Sequence, residues 1–235
     1  MIIDHNHPEY IERRKNLGRG KYNGCYYYSV EIVKNIIPRV KTKRSWNTIG
    51  RDVEGMTSGM IVFLHDNSTP WNYDWLKNYD DLVLVCSSKY TMDSVCYSGH
   101  TILLPMSVDT EYVKQFRTEK TKDTCFVGNS WVKTNIRPYN FTSNKDISHA
   151  QTFPIPGKVD FFSSLPREKL LKELAKYKKA YAIDRCAIEA KVLGCELMPL
   201  DTRYSVDDVG QVLDNRDAAK ILQAELDKID GGKNG

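Results

Sequence analysis

Residues 165–201 read LPREKLLKELAKYKKAYAIDRCAIEAKVLGCELMPLD, and their pattern predicts helix, strand, helix and strand in that order. The first helix is predicted by apolar residues at helical spacing, namely Leu170, Leu171, Leu174 and Tyr177. A short apolar run at 181–183 predicts the first strand, and 195–199 predicts the second. The helix between them, 187–193, follows a polar turn and stops at Gly194. Strands alternating with helices are typical of an α/β fold with a parallel sheet.

The turn that opens the second helix is a candidate anion-binding site. Asp184 and Arg185 form a polar turn before the helix, and Glu189 lies one turn inside it. The first backbone N–H groups of a helix have no partner within the helix, and the helix dipole is positive at that end. A phosphate bound there would therefore lie close to Glu189. An ordinary α/β helix with one exposed glutamate has the same pattern, so this segment alone leaves both interpretations open.

The run 187–201, AIEAKVLGCELMPLD, resembles the donor-site helix of GT-B glycosyltransferases, especially the retaining family-4-like group. The residues that match the EA…G.P pattern of that helix are Glu189, Ala190, Gly194 and Pro199. In that family the helix N-terminus receives the donor diphosphate, and the glutamate of the motif contacts the nucleotide ribose. The resemblance therefore implies a nucleotide-sugar donor at the start of this helix, with Glu189 on the ribose.

A second stretch resembles the end of the first domain in the same family. Residues 104–116, LPMSVDTEYVKQF, are similar to the LPNGVD…F segment, with Met106 and Ser107 in place of Asn-Gly. The family then enters its second domain, whose first strand here would be 124–128, TCFVG. The resemblance implies that the turn at Gly128 faces the donor. It extends over about residues 60–201.

The chain departs from the family at several points. A second family glutamate, eight positions before Glu189, is replaced by Tyr181. The basic pair that follows the first strand of the second domain is reduced to Lys133, with Arg137 farther along. At 235 residues the chain is also short for two full Rossmann-like domains. These departures fit either a pared-down enzyme or a relative that binds without catalysing.

Alternating elements upstream predict that the first half of the chain is also α/β. Strands are predicted at 46–49, 60–65, 82–86 and 101–104, and helices at 26–37, 70–79 and 90–97. The helix at 26–37 is expected to turn these residues inward: Val30, Val33, Ile36 and Ile37. A final amphipathic helix at 214–229 is predicted by the stripe Ala218, Ile221, Leu222, Leu226 and Ile229.

The predicted fold class is α/β, with two small Rossmann-like domains whose parallel sheets face a cleft, as in the GT-B fold. Residues 1–115 would form the N-terminal acceptor domain, and 116–235 the C-terminal nucleotide-sugar donor domain. Composition agrees with a globular protein, since 41% of the residues are hydrophobic and 27% are charged. The sequence contains neither an apolar run of 18 residues nor the apolar core of a signal peptide, so we expect no membrane partner.

The cysteines predict a cytoplasmic location. Six are present, without CxxC pairing, and they lie mostly in apolar runs: Cys25, Cys86, Cys96, Cys125, Cys186 and Cys195. This pattern is typical of small buried residues in a reducing compartment and not of a disulfide or zinc framework. We expect no bound metal and no cofactor other than the nucleotide-sugar substrate, and the oligomeric state stays open.

Positive charge is concentrated near the start of the chain. Residues 13–51 contain eleven Lys or Arg and one acid, Glu31, which gives a net charge of +10 against −6 for the rest. Such asymmetry suggests a polyanionic partner or a basic rim around an anionic ligand. The tyrosines and tryptophan among these charges would suit base stacking beside phosphate contacts in a nucleic acid. A solvated basic face over core aromatics is the alternative.

Ligands of open α/β sheets bind beyond the carboxyl ends of the strands, and this rule selects the candidate residues. The predicted acceptor-binding residues are Lys21, Tyr22, Asn23, Gly24 and Asn67, from a glycine loop and a strand end. The predicted catalytic residues are His65 and Asp66, because they follow a strand and a histidine titrates near neutral pH. A loop histidine held by hydrogen bonds is the alternative. The resemblance, together with the anion site at the helix start, gives the predicted donor-binding residues as Gly128, Lys133, Arg185 and Glu189.

The resemblance and these candidate residues together imply a glycosyltransferase, an enzyme that moves a hexosyl or pentosyl group from a nucleotide-sugar to an acceptor hydroxyl. The basic segment 13–51 favours modified DNA, such as a hydroxymethylated base, over a lipid or protein acceptor. The alternative is a non-catalytic nucleotide-binding or nucleic-acid-binding protein that reuses the fold.

Overall fold

The computed structural model describes residues 30–49, 56–64, 74–95, 97–127, 159–162, 165–182, 184–198 and 211–231. Within these residues the chain forms two four-stranded sheets, and every strand pair in both is parallel. The predicted α/β class with parallel sheets is therefore confirmed. The division into two domains at residue 115 stays a prediction.

The first sheet has its strands in sequence order, β1-β2-β3-β4. Its strands are β1 (Trp46–Ile49), β2 (Ile61–Leu64), β3 (Val83–Cys86) and β4 (His100–Leu103). The two central strands are buried along their whole length, which explains their continuous apolar runs. The four strands lie where the sequence predicts them, within about one residue. A 3₁₀ turn, Asp74–Asn78, occupies part of the predicted helix at 70–79.

The second sheet has the order β6-β5-β7-β8. Strand β6 lies on one side of β5, and the chain then crosses back to place β7 on the other side of β5. Its strands are β5 (Lys122–Val127), β6 (Asp160–Phe162), β7 (Tyr177–Tyr181) and β8 (Glu196–Met198). The α-helices among the described residues are α1 (Lys89–Ser94), α2 (Thr110–Lys114), α3 (Arg167–Leu174), α4 (Asp184–Val192) and α5 (Asn215–Gly231).

One strand begins earlier than the sequence predicts. Tyr177, which is expected on the helix, is the first residue of β7, four positions before the predicted strand. Helix α3 ends before it, and the carbonyl of Lys176 accepts bonds from the backbone N–H groups of Thr121 and Lys122, both at 2.9 Å. The chain therefore pairs with β5 from Tyr177 onward, so the helical spacing at that position is a coincidence of the sequence.

The helix predicted at 26–37 has a different form in its described part. Residues Ile32–Ile36 form a π-helical segment, and Ile37–Arg39 form a 3₁₀ turn. Val33 and Ile36 are buried as predicted, but Val30 and Ile37 are only half-buried, and Ile32 is fully buried. The i→i+5 bonding of a π-helix widens each turn and so changes which residues face the core.

Helix α5 confirms the predicted C-terminal helix and corrects one of its core positions. Its buried residues are Asn215, Ala218, Ala219, Leu222 and Leu226. Ile221 is 41% exposed and does not belong to the stripe. The helix packs on β4 and on the π-helical segment. Ile221 lies outside the face that these contacts cover.

Buried side chains of both sheets belong to one apolar cluster. Phe63 and Val85 contribute from the first sheet, Val127 and Ala180 from the second, and Leu222 from α5. A smaller cluster covers the other face of the first sheet. Cys86, Cys125, Cys186 and Cys195 carry free thiols, and burial raises the pKa of Cys86 and of Cys125 to about 12. None of the helices in the described ranges has the length and apolar character needed to cross a membrane.

Candidate functional site

The strand order of the second sheet reverses at β5, so a ligand is expected to bind between β5 and β7. Strand β5 is followed along the chain by β6 on one side of it, and β7 then returns to its other side. Loops at such a reversal diverge at the carboxyl ends of the strands, and ligands of open α/β sheets bind there. The residues directly after these two strands are therefore the natural place for a site. Gly128 follows β5, and α4 begins shortly after β7.

Helix α4, which carries Glu189, packs on β7 and β8 through apolar residues. Ala187, Ile188 and Ala190 are at most 3% exposed. Gly194 has a φ of +84°, a left-handed conformation that glycine adopts without strain, and it ends the helix where predicted. Glu189 itself is 0% exposed, so it is not the exposed glutamate of an ordinary surface helix.

Two arginines meet one oxygen of the Glu189 carboxylate. Arg185 Nη1 lies 2.9 Å from Glu189 Oε1, and Arg167 Nε donates to the same oxygen at 3.1 Å. The other oxygen, Oε2, is buried and has no hydrogen-bond partner among the described residues. A buried carboxylate oxygen without a donor is rare in native proteins, and a ligand hydroxyl would satisfy it.

Arg167 extends this arrangement to a second glutamate. Its Nη1 donates to Glu31 Oε1, and its guanidinium lies 5.3 Å from the ring centroid of Tyr112 on α2. Burial alone would lower the pKa of Arg167, but the carboxylates of Glu189 and Glu31 outweigh it and raise that pKa above its ordinary value. Arg167 is therefore a permanent cation between two carboxylates.

Glu31 is held in turn by two asparagines. Asn35 Nδ2 donates to Glu31 Oε2 at 2.7 Å, and Asn215 Nδ2 donates to the same oxygen at 2.6 Å. Ser107 Oγ donates to Asn215 Oδ1 at 2.7 Å. Glu31 is 1% exposed. We call Glu31, Arg167, Arg185 and Glu189 the buried charge cluster, and its two positive and two negative charges balance.

The buried charge cluster joins elements that lie far apart in the sequence. Glu31 adjoins the π-helical segment, Arg167 begins α3, and Arg185 and Glu189 lie on α4. An ion pair of this kind costs desolvation energy that its Coulomb attraction only offsets when the geometry is good. The cluster is therefore weak evidence for high stability of the fold. It is better explained by a role in fixing how the elements pack or in binding a ligand.

The structure brings two of the predicted site residues together. Arg185 and Glu189 are in contact, and Arg185, which is 2% exposed, is engaged by Glu189. The remaining predicted site residues lie outside the described residues: Lys21, Tyr22, Asn23, Gly24, His65, Asp66, Asn67, Gly128 and Lys133. Their roles stay predictions. No group of three or more His, Cys, Asp or Glu side chains that could hold a metal ion occurs in the described ranges.

Sequence reasoning missed Arg167 and Glu31 as members of the site. Arg167 occupies the first turn of α3, where the helix dipole disfavours a positive charge. Glu31 is the one acid of the basic segment 13–51, and it precedes an apolar run. The available signals were a positive charge at a helix start for Arg167 and an acid directly before a buried apolar run for Glu31.

At least one basic residue of the segment 13–51, Arg44, is bound by other groups of the protein itself. Arg44 donates to Asp230 Oδ1 at 2.8 and 3.0 Å, to the carbonyl of Gly59 at 3.0 Å and to that of Asp81 at 3.1 Å. Its side chain is only 11% exposed. Lys41 and Lys43 are exposed. Arg44 therefore fastens α5 to the first sheet and is not presented to a polyanion.

Comparison with known protein families, with curated proteins and with solved structures finds no match to this chain. The resemblance to GT-B glycosyltransferases therefore rests on the motif residues quoted above.

Proposed function

We propose that this protein is a glycosyltransferase that moves a sugar from a nucleotide-sugar to an acceptor hydroxyl, with two Rossmann-like units facing a cleft. The observation that supports the proposal is the reversal of strand order at β5 in the second sheet. Gly128 directly follows β5 in the chain and Arg185 follows β7, so residues that the resemblance assigns to the donor come after the two strands at this reversal. Ligands of open α/β sheets bind at such a place.

The donor half would use the start of α4 and the carboxylate of Glu189. Backbone N–H groups at the helix start would bind the diphosphate, together with the turn at Gly128 and with Lys133. Glu189 Oε2, which is buried and has no hydrogen-bond partner within the described ranges, would accept a ribose hydroxyl. Arg185 would hold Glu189 in place, because its guanidinium contacts that carboxylate and is almost fully buried.

The acceptor half would use the end of β2. That strand ends at Leu64, so His65 and Asp66 follow its carboxyl end directly. His65 would take the proton of the acceptor hydroxyl as the oxygen bonds to the anomeric carbon, while the bond to the nucleoside diphosphate breaks. The positive helix end would stabilise the leaving diphosphate. Asn67 and the loop 21–24 would orient the acceptor.

A nucleotide-binding protein without transferase activity is the second candidate. In the family the position of Tyr181 carries a second glutamate, and here Tyr181 is the last residue of β7 and is 4% exposed. A buried phenol offers no carboxylate at that position. This observation favours binding without sugar transfer. Hydrolysis of the bound donor in the absence of an acceptor distinguishes the two candidates.

Thermal-shift and calorimetric titration with UDP, GDP, ADP and their sugar conjugates tests the proposal. A ligand at one hundred times its Kd should add about 2.7 kcal/mol to the free energy of unfolding. Glu189→Gln should weaken binding by about 1.5–3 kcal/mol, because the ribose hydroxyl loses a charged acceptor and meets a neutral amide instead. Glu196→Gln, on the exposed end of β8, is the matched control. Absence of binding by every nucleotide would contradict the proposal, whereas binding without donor hydrolysis would favour the second candidate.

A further inference from the structure

We propose that Arg167 is a positioning residue of the donor site, which fixes the Glu189 carboxylate and is itself fixed by Glu31. The inference rests on the proposed function and deepens it, since it names the residues that set the recognition of the nucleotide ribose. Arg167 touches no ligand in this proposal. It acts through Glu189.

The geometry of the guanidinium supports this role. Arg167 uses Nε for Glu189 at 3.1 Å and Nη1 for Glu31, so different N–H groups of one rigid plane bind the two glutamates. A lysine has a single ammonium on a flexible stem and cannot reproduce this fork. The ring of Tyr112, 5.3 Å from the guanidinium carbon, also packs against the plane. The position of Arg167 is therefore fixed from several directions.

In Glu189 only one of the two carboxylate oxygens is bound by the arginines. Oε1 takes the contacts of both Arg167 and Arg185, whereas Oε2 has no hydrogen-bond partner in the part of the chain that the structure describes. Because Oε1 is held, Oε2 has a fixed direction. A ligand-binding group whose neighbours lock its rotamer recognises its ligand more sharply than a mobile group does.

Glu31 makes this arrangement depend on the first sheet. The bonds from Asn35 and Asn215 fix its carboxylate, and Asn215 begins α5, which packs on β4. Glu31 and Glu189 are joined only through Arg167 among the contacts described. A change at Glu31 should therefore alter ribose recognition even though Glu31 lies two side chains away from the ligand.

The test compares the affinity for a ribonucleotide with that for its 2′,3′-dideoxy form, using the nucleotide of the UDP, GDP and ADP panel that binds most tightly. The variants are Arg167→Lys, Arg167→Met and Glu31→Gln. Arg44→Met is the matched control, because Arg44 is another largely buried arginine in ion pairs, at α5 and the first sheet. We expect the wild type to prefer the ribonucleotide at least tenfold. The preference should fall to about twofold or less in the Arg167 and Glu31 variants and persist in Arg44→Met.

The outcomes separate the two proposals. A loss of ribose preference in Glu31→Gln and Arg167→Lys, at a melting temperature no lower than that of Arg44→Met, supports the positioning role. If the wild type binds nucleotide and the variants keep its ribose preference, the positioning role is overturned while the proposed function stands. If the wild type binds no nucleotide of the panel, both are overturned. Arg167→Lys and Glu31→Gln retain similar size and polarity, so the test does not depend on Arg167→Met folding.

Discussion

Glu189 is the member of the buried charge cluster that contacts both of its arginines. Its carboxylate is 0% exposed and faces two arginines, one from α3 and one from its own helix. Removing one member of a buried ion pair leaves the partner charge without compensation, which costs far more than the net contribution of the pair. Glu196 offers the contrast, because its only described ion pair is with Lys179 at 3.8 Å on the surface.

Glu189→Ala should therefore lower the free energy of unfolding by about 3–5 kcal/mol, the range for breaking a buried pair. Glu196→Ala should change it by less than about 1 kcal/mol, as is usual for an exposed pair. Urea unfolding of both variants, followed by circular dichroism, measures the difference. Adding Arg185→Met to Glu189→Ala should recover part of the loss, because one uncompensated charge is removed. A loss below about 1 kcal/mol in Glu189→Ala would show that water reaches the cluster.

At the scale of elements, Arg44 fastens the end of α5 to the first sheet. Its guanidinium binds Asp230 near the end of the helix and the backbone carbonyls of Gly59 and Asp81, which precede β2 and β3. Burial works to lower the pKa of Arg44, but hydrogen bonds and charge from Asp230 and Asp81 raise it overall. Exposed pairs along α5, such as Lys220 with Asp217, contribute little by comparison.

Arg44→Met should loosen the last turns of α5. We expect faster amide hydrogen exchange over residues 223–231 and a loss of about 1–3 kcal/mol in the free energy of unfolding, because the hydrogen bonds of the Arg44 guanidinium to Asp230, Gly59 and Asp81 are lost. Lys43→Met is the control, since Lys43 is exposed beside it. Equal exchange rates in α5 for both variants would mean that Arg44 does not hold the end of the helix.

At the scale of the whole molecule, the residue before α5 binds the segment that connects the two sheets, between β4 and β5. The backbone of Asp214 forms a parallel bridge with Val108, and the Asp214 carboxylate accepts from Thr110 Oγ1 at 2.7 Å and Thr110 N at 3.1 Å. Burial works to raise the pKa of Asp214, but the bonds from Thr110 and from the backbone of Arg216 outweigh it and lower that pKa. The ionised form is therefore preferred in the folded protein.

This preference predicts a specific loss of stability in acid. A carboxylate whose folded pKa lies below its unfolded value, about 3.9 for Asp, stabilises the fold above that value. The contribution disappears as the pH falls through the lower folded pKa. The difference in free energy of unfolding between wild type and Asp214→Asn should therefore be constant near neutral pH and shrink below about pH 4. In a Thr110→Val background the difference that Asp214→Asn makes should also be smaller, because the bond from Thr110 Oγ1 is lost. A difference that does not change with pH would contradict the lowered pKa of Asp214.

The sequence by itself determined the class of the fold and the place of most elements. Apolar runs predict the strands of the first sheet, because a strand buried on both faces needs apolar residues throughout. Gly194 predicts the end of α4, because few other residues adopt its left-handed φ. These features depend on neighbours along the chain, so a local pattern is enough to show them.

Only the tertiary structure decided the start of β7, the core face of α5 and the partners of Glu189. Tyr177 fits a helical spacing, but hydrogen bonds to β5 place it in the sheet. The pattern around Glu189 predicts a helix and is silent on burial. Arg167 and Glu31 are separated by 136 residues, and their contact depends on how distant helices pack. Local periodicity reports which face of an element is apolar, whereas a buried charge finds its partner only when the whole chain has folded.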